Sequence, residues 1–204
     1  MPGSQKTTSR RRAAPSKGDL RELAILDAAE RQLTDHGLEH MTVETIATAA
    51  GIARGALYFY FGSKNDVLTA LVERTAASAV SEIELAEASA PTDPRQALRQ
   101  ALQHLAHQWH EHGAIMRMAV ELSPTVTGID QCWQSAITAA ARATRQTMIR
   151  AGTPDNDSPT GAAAISRALV LMTERSFYEA SKDEASLDVA AQTLTYVWLA
   201  ALPD

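Results

Sequence analysis

A glycine between two short apolar patterns constrains this chain more than any other feature of its sequence. Thr42 is a residue type that caps helices, and Val43 and Ile46 follow it at helical spacing. Gly51 then supplies a residue that readily takes positive φ, which a sharp helix end requires. Residues 53–60 form the next short helical pattern. Two short helices joined by a glycine-containing turn predict a helix-turn-helix.

The second of these helices is expected to expose small residues, one arginine and two phenols, a combination suited to close approach to DNA. The alternative is an ordinary helical hairpin whose aromatic residues belong to the core, because short motifs also occur by chance. The residues of this motif and its flanks that we expect to contact DNA are Thr42, Ala53, Arg54, Gly55, Tyr58, Tyr60 and Lys64.

Four consecutive aromatic residues, 58–61, favour the first interpretation, since the chain is otherwise poor in aromatics. We expect Phe59 and Phe61 to pack inward while the two tyrosines point outward. Ser63 and Asp66 have the spacing of a capping box and predict the start of another helix. The first-turn amides of that helix would then lie where a DNA phosphate can bind.

Residues 60–64, Tyr-Phe-Gly-Ser-Lys, resemble the element that closes the DNA-binding unit of the TetR family of transcriptional regulators. The resemblance is strong over about residues 18–74. It extends more weakly to the EthR-like branch of that family through GDLRELAILDAAE near the start and LMTERSFYEAS near the end. Where that branch carries asparagines this chain has Val170 and Thr173, so its ligand is expected to differ.

The family resemblance implies a homodimer that binds a palindromic double-stranded DNA operator and releases it when a small apolar effector enters the C-terminal core. It also implies an all-α fold of about nine helices: an N-terminal three-helix, helix-turn-helix DNA-binding domain, followed by a helical ligand-binding and dimerisation domain. We expect a disordered basic arm at 1–17, the DNA-binding domain at 18–66, and the effector-binding and dimerisation domain at 67–204.

Composition agrees with a helical fold, because glycine and proline are sparse and 45% of the residues are hydrophobic. The sequence has no apolar run long enough to cross a membrane and no signal-peptide core, which predicts a cytoplasmic protein without a membrane partner. Cys132 is the single cysteine, so no internal disulfide can form. It is either a redox sensor or, as we prefer, a core residue beside Trp133.

The first seventeen residues carry a positive charge that the rest of the chain lacks. They contain Lys6, Arg10, Arg11, Arg12 and Lys17 and no acid, a net charge of +5, whereas the whole chain has −5 and the remainder therefore −10. We expect this arm, with Arg10, Arg11 and Arg12 at its centre, to neutralise phosphates or enter a minor groove. The alternative is a solubilising leader.

The other helices follow from apolar spacing and breaks. The first, Asp19–His36, should brace the helix-turn-helix, and the fourth, Ser63 to about Ala88, should belong to both domains, as either a lever or a passive connector. Gly113 should separate two further helices. Those after the fourth are predicted at about 93–112, 114–122, 129–151, 160–182 and 185–202.

A run of small residues from Ala136 to Ala143 lies between large apolar ones and predicts an internal cavity. An ordinary bundle core is the alternative. We expect an apolar, neutral ligand there, with Thr173 as its hydrogen-bond partner. The expected ligand-binding residues are Leu105, Trp109, Met116, Trp133, Ile137, Ala140, Thr144, Val170, Met172, Thr173, Phe177 and Trp198.

The last two predicted helices carry apolar residues on more than one face, which suits a four-helix dimer interface. An enzyme is disfavoured, because the only acid–base cluster, four histidines between 104 and 112 near Glu111, lacks a nucleophile or phosphate loop. For these histidines we prefer a solvated polar face to a metal site, and we expect no cofactor. A DNA-binding architectural protein without an effector stays open as a third class.

Overall fold

The computed structural model describes residues 16–88 and 92–203 of the chain. These parts contain eight α-helices and a 3₁₀ turn, Leu38–His40, between the first two helices. The helices are α1 Lys17–His36, α2 Val43–Ala49, α3 Arg54–Tyr60, α4 Lys64–Ala88, α5 Pro94–Leu122, α6 Thr127–Arg150, α7 Ala162–Ala180 and α8 Glu184–Ala200. The predicted all-α fold is confirmed. None of the described helices has a stretch both long and apolar enough to span a membrane.

The first three helices surround a small core. Ser16 caps α1 through a capping box with Asp19, in which each side chain accepts a hydrogen bond from the other residue's backbone N–H. The inner face of α1 then meets the helix-turn-helix, where Leu57 of α3 has no exposed surface. Burying a side chain of this size contributes about 1.5–3 kcal/mol. The other large residues of this core are Ile25, Leu26, Leu33, Met41, Ile46 and Phe61.

Helix α4 joins this unit to the rest of the molecule. Near its start it buries Val67, Leu68 and Leu71 in the same continuous core, and further along it packs against α6 and α5. The predicted domain limit at residues 66 and 67 therefore falls inside one uninterrupted helix. The two parts of the chain are mechanically connected through it.

Helix α5 differs from the prediction of two separate helices. It runs from Pro94 to Leu122 as one element with a kink, because only His112 has a non-helical backbone (φ −120°, ψ 19°). Gly113 was expected to separate the two helices, yet it is buried and lies within one helix. This difference accounts for eight helices where about nine were expected.

The C-terminal part is a bundle in which α6 packs on α4, α5 and α7, while α8 packs on α5 and α7. Its core contains all three tryptophans, each less than a tenth exposed. Burial raises the pKa of the Cys132 thiol, and the nearby Glu73 carboxylate adds to that shift. The thiol therefore stays protonated at neutral pH, which favours the core residue over the redox sensor.

Candidate DNA-binding face and core cavity

Local hydrogen bonds cap the start of α2 and close the turn between α2 and α3. Thr42 caps α2: its Oγ1 accepts from the Thr45 N–H at 3.1 Å, and the Thr45 hydroxyl accepts from the Thr42 N–H at 2.9 Å. Gly51 has φ 66°, the left-handed conformation that its position in the turn requires. The Ile52 N–H then donates to the Ala47 carbonyl at 3.0 Å and closes the turn.

The start of α3 is an exposed surface around one arginine. Ala53 is its N-cap, and Ala53, Arg54, Gly55 and Tyr58 are all exposed. The Arg54 guanidinium donates to the Tyr58 hydroxyl at 3.4 Å and lies 5.8 Å from the centre of its ring. This hydrogen bond raises the pKa of Arg54. The arginine therefore remains a cation, held beside a phenol that can itself bond a phosphate.

Two expectations about the aromatic block were wrong. Phe59 was expected to pack inward, but it is 84% exposed, while Phe61 is buried as expected. Tyr60, expected to point outward, is half-buried, with its ring edge-on to Phe59 at 5.2 Å between centroids. The seven-residue α3 buries Leu57 on its inner face, and the second buried position falls to Phe61, which follows the helix as its C-cap with an extended backbone.

Lys64 is the first residue of α4, and its half-buried side chain has one identified hydrogen-bond partner. Its Nζ donates to the carbonyl oxygen of Leu38 at 3.2 Å, which ties α4 to the 3₁₀ turn. An ammonium has three N–H donors, so this bond does not occupy all of them. Ser63 accepts from the Asp66 N–H at 3.2 Å, as the predicted cap requires. Arg10, Arg11 and Arg12 lie outside the described residues.

A cavity of about 260 Å³ lies inside the C-terminal bundle, with α4 to α8 all contributing to its wall. The structure brings ten of the twelve expected ligand-binding residues together around it. They are Leu105, Trp109, Met116, Trp133, Ile137, Ala140, Thr144, Val170, Thr173 and Trp198. The alanine-rich gap of α6 is part of this wall, through Ala136, Ala140 and Ala143.

The other two expected residues do not line the cavity. Phe177 has no exposed surface and lies behind the wall, stacked on Trp109 at 6.2 Å between ring centroids. Met172 is half-buried on α7 and packs against the core from outside the cavity. Phe177 and Met172 lie at helical spacing from Val170 and Thr173 on α7, but of these four residues only Val170 and Thr173 line the cavity.

Polar residues of the wall were missed by the sequence analysis. Helix α5 contributes Gln100, His104 and Gln108 at intervals of four, and α4 contributes Glu82. The interval of four was a usable signal, since it places these polar residues on one face. The sequence analysis predicted a solvated polar face for the histidines of this helix; Gln100 and His104 are exposed, whereas Gln108 is half-buried.

Internal hydrogen bonds already engage several polar groups of the cavity. The Trp198 indole N–H donates to Thr173 Oγ1 at 2.9 Å, and both side chains are buried. Thr173 stays the expected hydrogen-bond partner of the ligand, because accepting from this tryptophan leaves its O–H donor and a second lone pair. The Trp133 N–H donates to Glu174 Oε1, also at 2.9 Å. These two bonds tie α7 to α8 and α6.

The histidines of α5 do not converge on one point. His110 lies 3.5 Å from Asp188 of α8, and His112 lies 3.3 Å from Glu30 of α1, so neighbouring histidines face different helices. In the described parts of the chain no three His, Cys, Asp or Glu residues come together as a metal site.

Comparison with known proteins identifies the protein family of this chain and then the branch within that family. Residues 25–71 match the family described as "Bacterial regulatory proteins, tetR family". The chain is 34% identical to the HTH-type transcriptional regulator EthR of Mycolicibacterium smegmatis, over 96% of this chain and 93% of the relative. It is 31% identical to EthR of Mycobacterium tuberculosis, over 94% and 91%.

Solved structures have the same fold. One is the fatty acid degradation regulator FadR of Bacillus halodurans, with a TM-score of 0.71 and 19% identity over 93% of this chain and 97% of that one. Another is SmeT, the repressor of the Stenotrophomonas maltophilia multidrug efflux pump SmeDEF, with 0.68 and 24% over 89% of each chain.

A helix-turn-helix attached to a helical bundle with an internal cavity defines a bacterial transcriptional regulator, and the chain belongs to the TetR family. It is a regulator and not an enzyme, as the sequence predicted. Within the family it is EthR-like, which confirms the branch that the sequence indicated.

Proposed function

We propose that this protein is a dimeric repressor that binds a palindromic operator and is released from it by a small, largely apolar effector in the core cavity. The observation that carries the proposal is that one helix serves both sites. Helix α4 starts four residues after α3 ends, and its middle forms cavity wall through Thr75, Ala79 and Ile83. An occupant that changes the tilt of α4 therefore moves the recognition helix α3.

A second connection runs from the cavity to α1. Glu30 of α1 accepts from Arg74 of α4 and lies 3.3 Å from His112 at the kink of α5. His112 is three residues from Trp109 and four from Met116, and both of these line the cavity. Movement of the α5 wall is thus transmitted to α1, the helix that braces the helix-turn-helix.

The proposed dimer interface lies on the outer faces of α7 and α8. Val189 and Tyr196 are 64% and 76% exposed and lie seven residues apart, on one face of α8. Leu171 adds a 40% exposed side chain on α7. Large apolar side chains exposed on neighbouring helices are typical of an interface. In a dimer the two copies of α3 would lie about 34 Å apart, one turn of DNA.

The nature of the cavity supports a small effector. Its wall is mainly aromatic and aliphatic, and at about 260 Å³ it lies just below the range of about 300–1,000 Å³ usual for ligand pockets. The related SmeT has been solved as a complex with triclosan. A ligand that prefers the non-binding arrangement by ~3 kcal/mol lowers DNA affinity more than a hundredfold.

The test has two stages. Fragments bound by the protein are first selected from a random DNA library; we expect a palindromic consensus, and Arg54→Ala should broaden it if Arg54 contacts a base. Triclosan and other apolar compounds are then titrated while tryptophan fluorescence and DNA anisotropy are recorded together. Saturable binding with DNA release supports the proposal. Selection of unrelated fragments, or DNA binding that no cavity-bound compound alters, contradicts it.

The interface is tested separately. Tyr196→Glu introduces a charge on the α8 face and should convert dimers to monomers in sedimentation velocity, because a buried unpaired charge is costly. Leu20→Glu, on the exposed face of α1, is the matched control, since Leu20 is 55% exposed and remote in sequence from α8. A Tyr196→Glu protein that stays dimeric would move the interface elsewhere.

A further inference from the structure

One hydrogen bond in the cavity wall fixes the orientation of a glutamine amide. The Gln108 Nε2 atom of α5 donates to Glu82 Oε2 of α4 at 2.8 Å, and both residues line the cavity. An ionised carboxylate only accepts, so Gln108 must turn its NH₂ group toward Glu82. Its oxygen, Oε1, is left buried and has no hydrogen-bond partner among the described residues.

Three other polar pairs of the cavity wall are hydrogen-bonded within the protein. Trp133 is bonded to Glu174, Trp198 to Thr173, and the Arg150 guanidinium donates to Thr147 at 3.1 Å. A buried acceptor without a donor is unfavourable because it has lost its hydration. What this wall lacks at Gln108 is therefore a donor.

We propose that the effector of this protein is a neutral apolar molecule carrying an N–H or O–H donor, and that Gln108, oriented by Glu82, is the residue that selects it. This inference rests on the proposed function, because it specifies the ligand of the same cavity. Neighbouring atoms cover Oε1, so the proposal requires that the amide rotate about its last torsion, which is soft, to present this oxygen to a donor in the cavity.

The charges of the wall disfavour an anionic ligand. Glu82 and Glu174 both line the cavity, while the arginine of the wall, Arg150, is exposed and donates to Thr147. A carboxylate in the cavity would face two like charges and would lose its hydration. A simple fatty acid or aromatic acid is therefore expected to bind more weakly than a neutral amide of the same size.

The experiment compares three probes of similar size. N-Butylbenzamide has an N–H donor, butyl benzoate keeps the carbonyl and replaces N–H by oxygen, and para-butylbenzoate is an anion. Dissociation constants are measured at pH 8 by quenching of tryptophan fluorescence, since Trp109, Trp133 and Trp198 line the cavity. One hydrogen bond to a buried acceptor corresponds to a preference of about tenfold for the amide over the ester. The anion should bind most weakly.

Two variants assign this preference to its source. Gln108→Met removes the amide at similar volume and should reduce the amide-to-ester ratio to about one. Glu82→Gln keeps the shape but lets residue 82 donate to Gln108, so it should reduce the ratio as well. Gln103→Met is the matched control, because Gln103 is exposed on the same helix and outside the wall. Its ratio should equal that of the unchanged protein.

Equal affinity for amide and ester in the unchanged protein overturns the inference, as does tighter binding of the anion or no binding of any probe. A tenfold ratio that persists in both Gln108→Met and Glu82→Gln overturns it too. Release of the selected DNA is followed in the same samples. Equal affinity for amide and ester, together with DNA release, contradicts only the inference. Selective binding of the amide without DNA release contradicts only the proposed function.

Discussion

Filling the cavity covalently should have the effect that we assign to the effector. Ala140 lies in the middle of the α6 wall, between Ile137 and Thr144, and its small side chain leaves space in front of it. Ala140→Trp places an indole in that space. We expect a folded dimer that no longer binds apolar compounds and that binds its operator weakly without any ligand.

The size of the effect follows from the cavity volume. Cavity space in a closed core costs about 24 cal/mol per Å³, so about 260 Å³ corresponds to at most on the order of 6 kcal/mol in the conformation that keeps it open, because exposed residues form part of the wall. An indole that fills roughly half of this space would favour the open conformation by ~3 kcal/mol. If the open conformation is the one that releases DNA, operator affinity falls about a hundredfold.

The assay is fluorescence anisotropy of labelled operator, with circular dichroism and sedimentation velocity to establish fold and dimer. Ala139→Trp is the matched control, because Ala139 is the adjacent residue and lies in a shallow surface groove with Gln134 and Arg142, outside the cavity. It should leave both operator and compound binding near their original values. An Ala140→Trp dimer that holds the operator with unchanged affinity would refute the coupling between cavity and DNA.

Three further predictions concern separate parts of the molecule. Tyr58→Phe and Lys64→Ala should each weaken operator binding by ~1–2 kcal/mol in gel-shift titrations with the fold intact, because each loses a phosphate contact; unchanged affinity in both would exclude this face. Deleting residues 1–15 keeps the Ser16 cap of α1 and should reduce the slope of log affinity against log salt by about 4 per protomer, since about four phosphate contacts are lost; an identical slope would make the arm a leader only. Thr173→Val leaves the buried Trp198 N–H unpaired and should cost ~1–3 kcal/mol, lowering the melting temperature by about 2–12 °C. Adding Trp198→Phe should recover part of that loss, and a melting temperature unchanged by Thr173→Val would mean that the bond contributes no stability.

Much of the cavity could be predicted from the sequence because apolar side chains at helical spacing must turn toward a common core. That argument found Trp109, Trp133 and Ile137, and it also included Phe177, which spacing alone cannot distinguish from a cavity residue. Whether an inward residue touches a cavity or lies one layer behind it depends on how far each helix is rotated and shifted. Spacing along one helix contains no information on either quantity.

The polar wall was missed for a related reason. Glu82 and Gln108 belong to different helices, 26 residues apart, and each looks like surface on its own helix. Only the packing of α4 on α5 shields them partly from water and lets Glu82 orient Gln108. Partner choice for a buried polar group is a property of the assembled core.

Local structure, by contrast, could be predicted directly from the sequence. The chain by itself determined the helical class, the Gly51 turn and the caps at Thr42 and Ser63, because these depend on backbone conformations and hydrogen bonds between residues a few positions apart. The tertiary structure alone decided that α5 continues through Gly113 with a kink at the preceding residue, and that Phe59 faces outward. Those outcomes depend on which surfaces of distant helices are available to pack against, and long-range packing overrides local preference when the buried area is large.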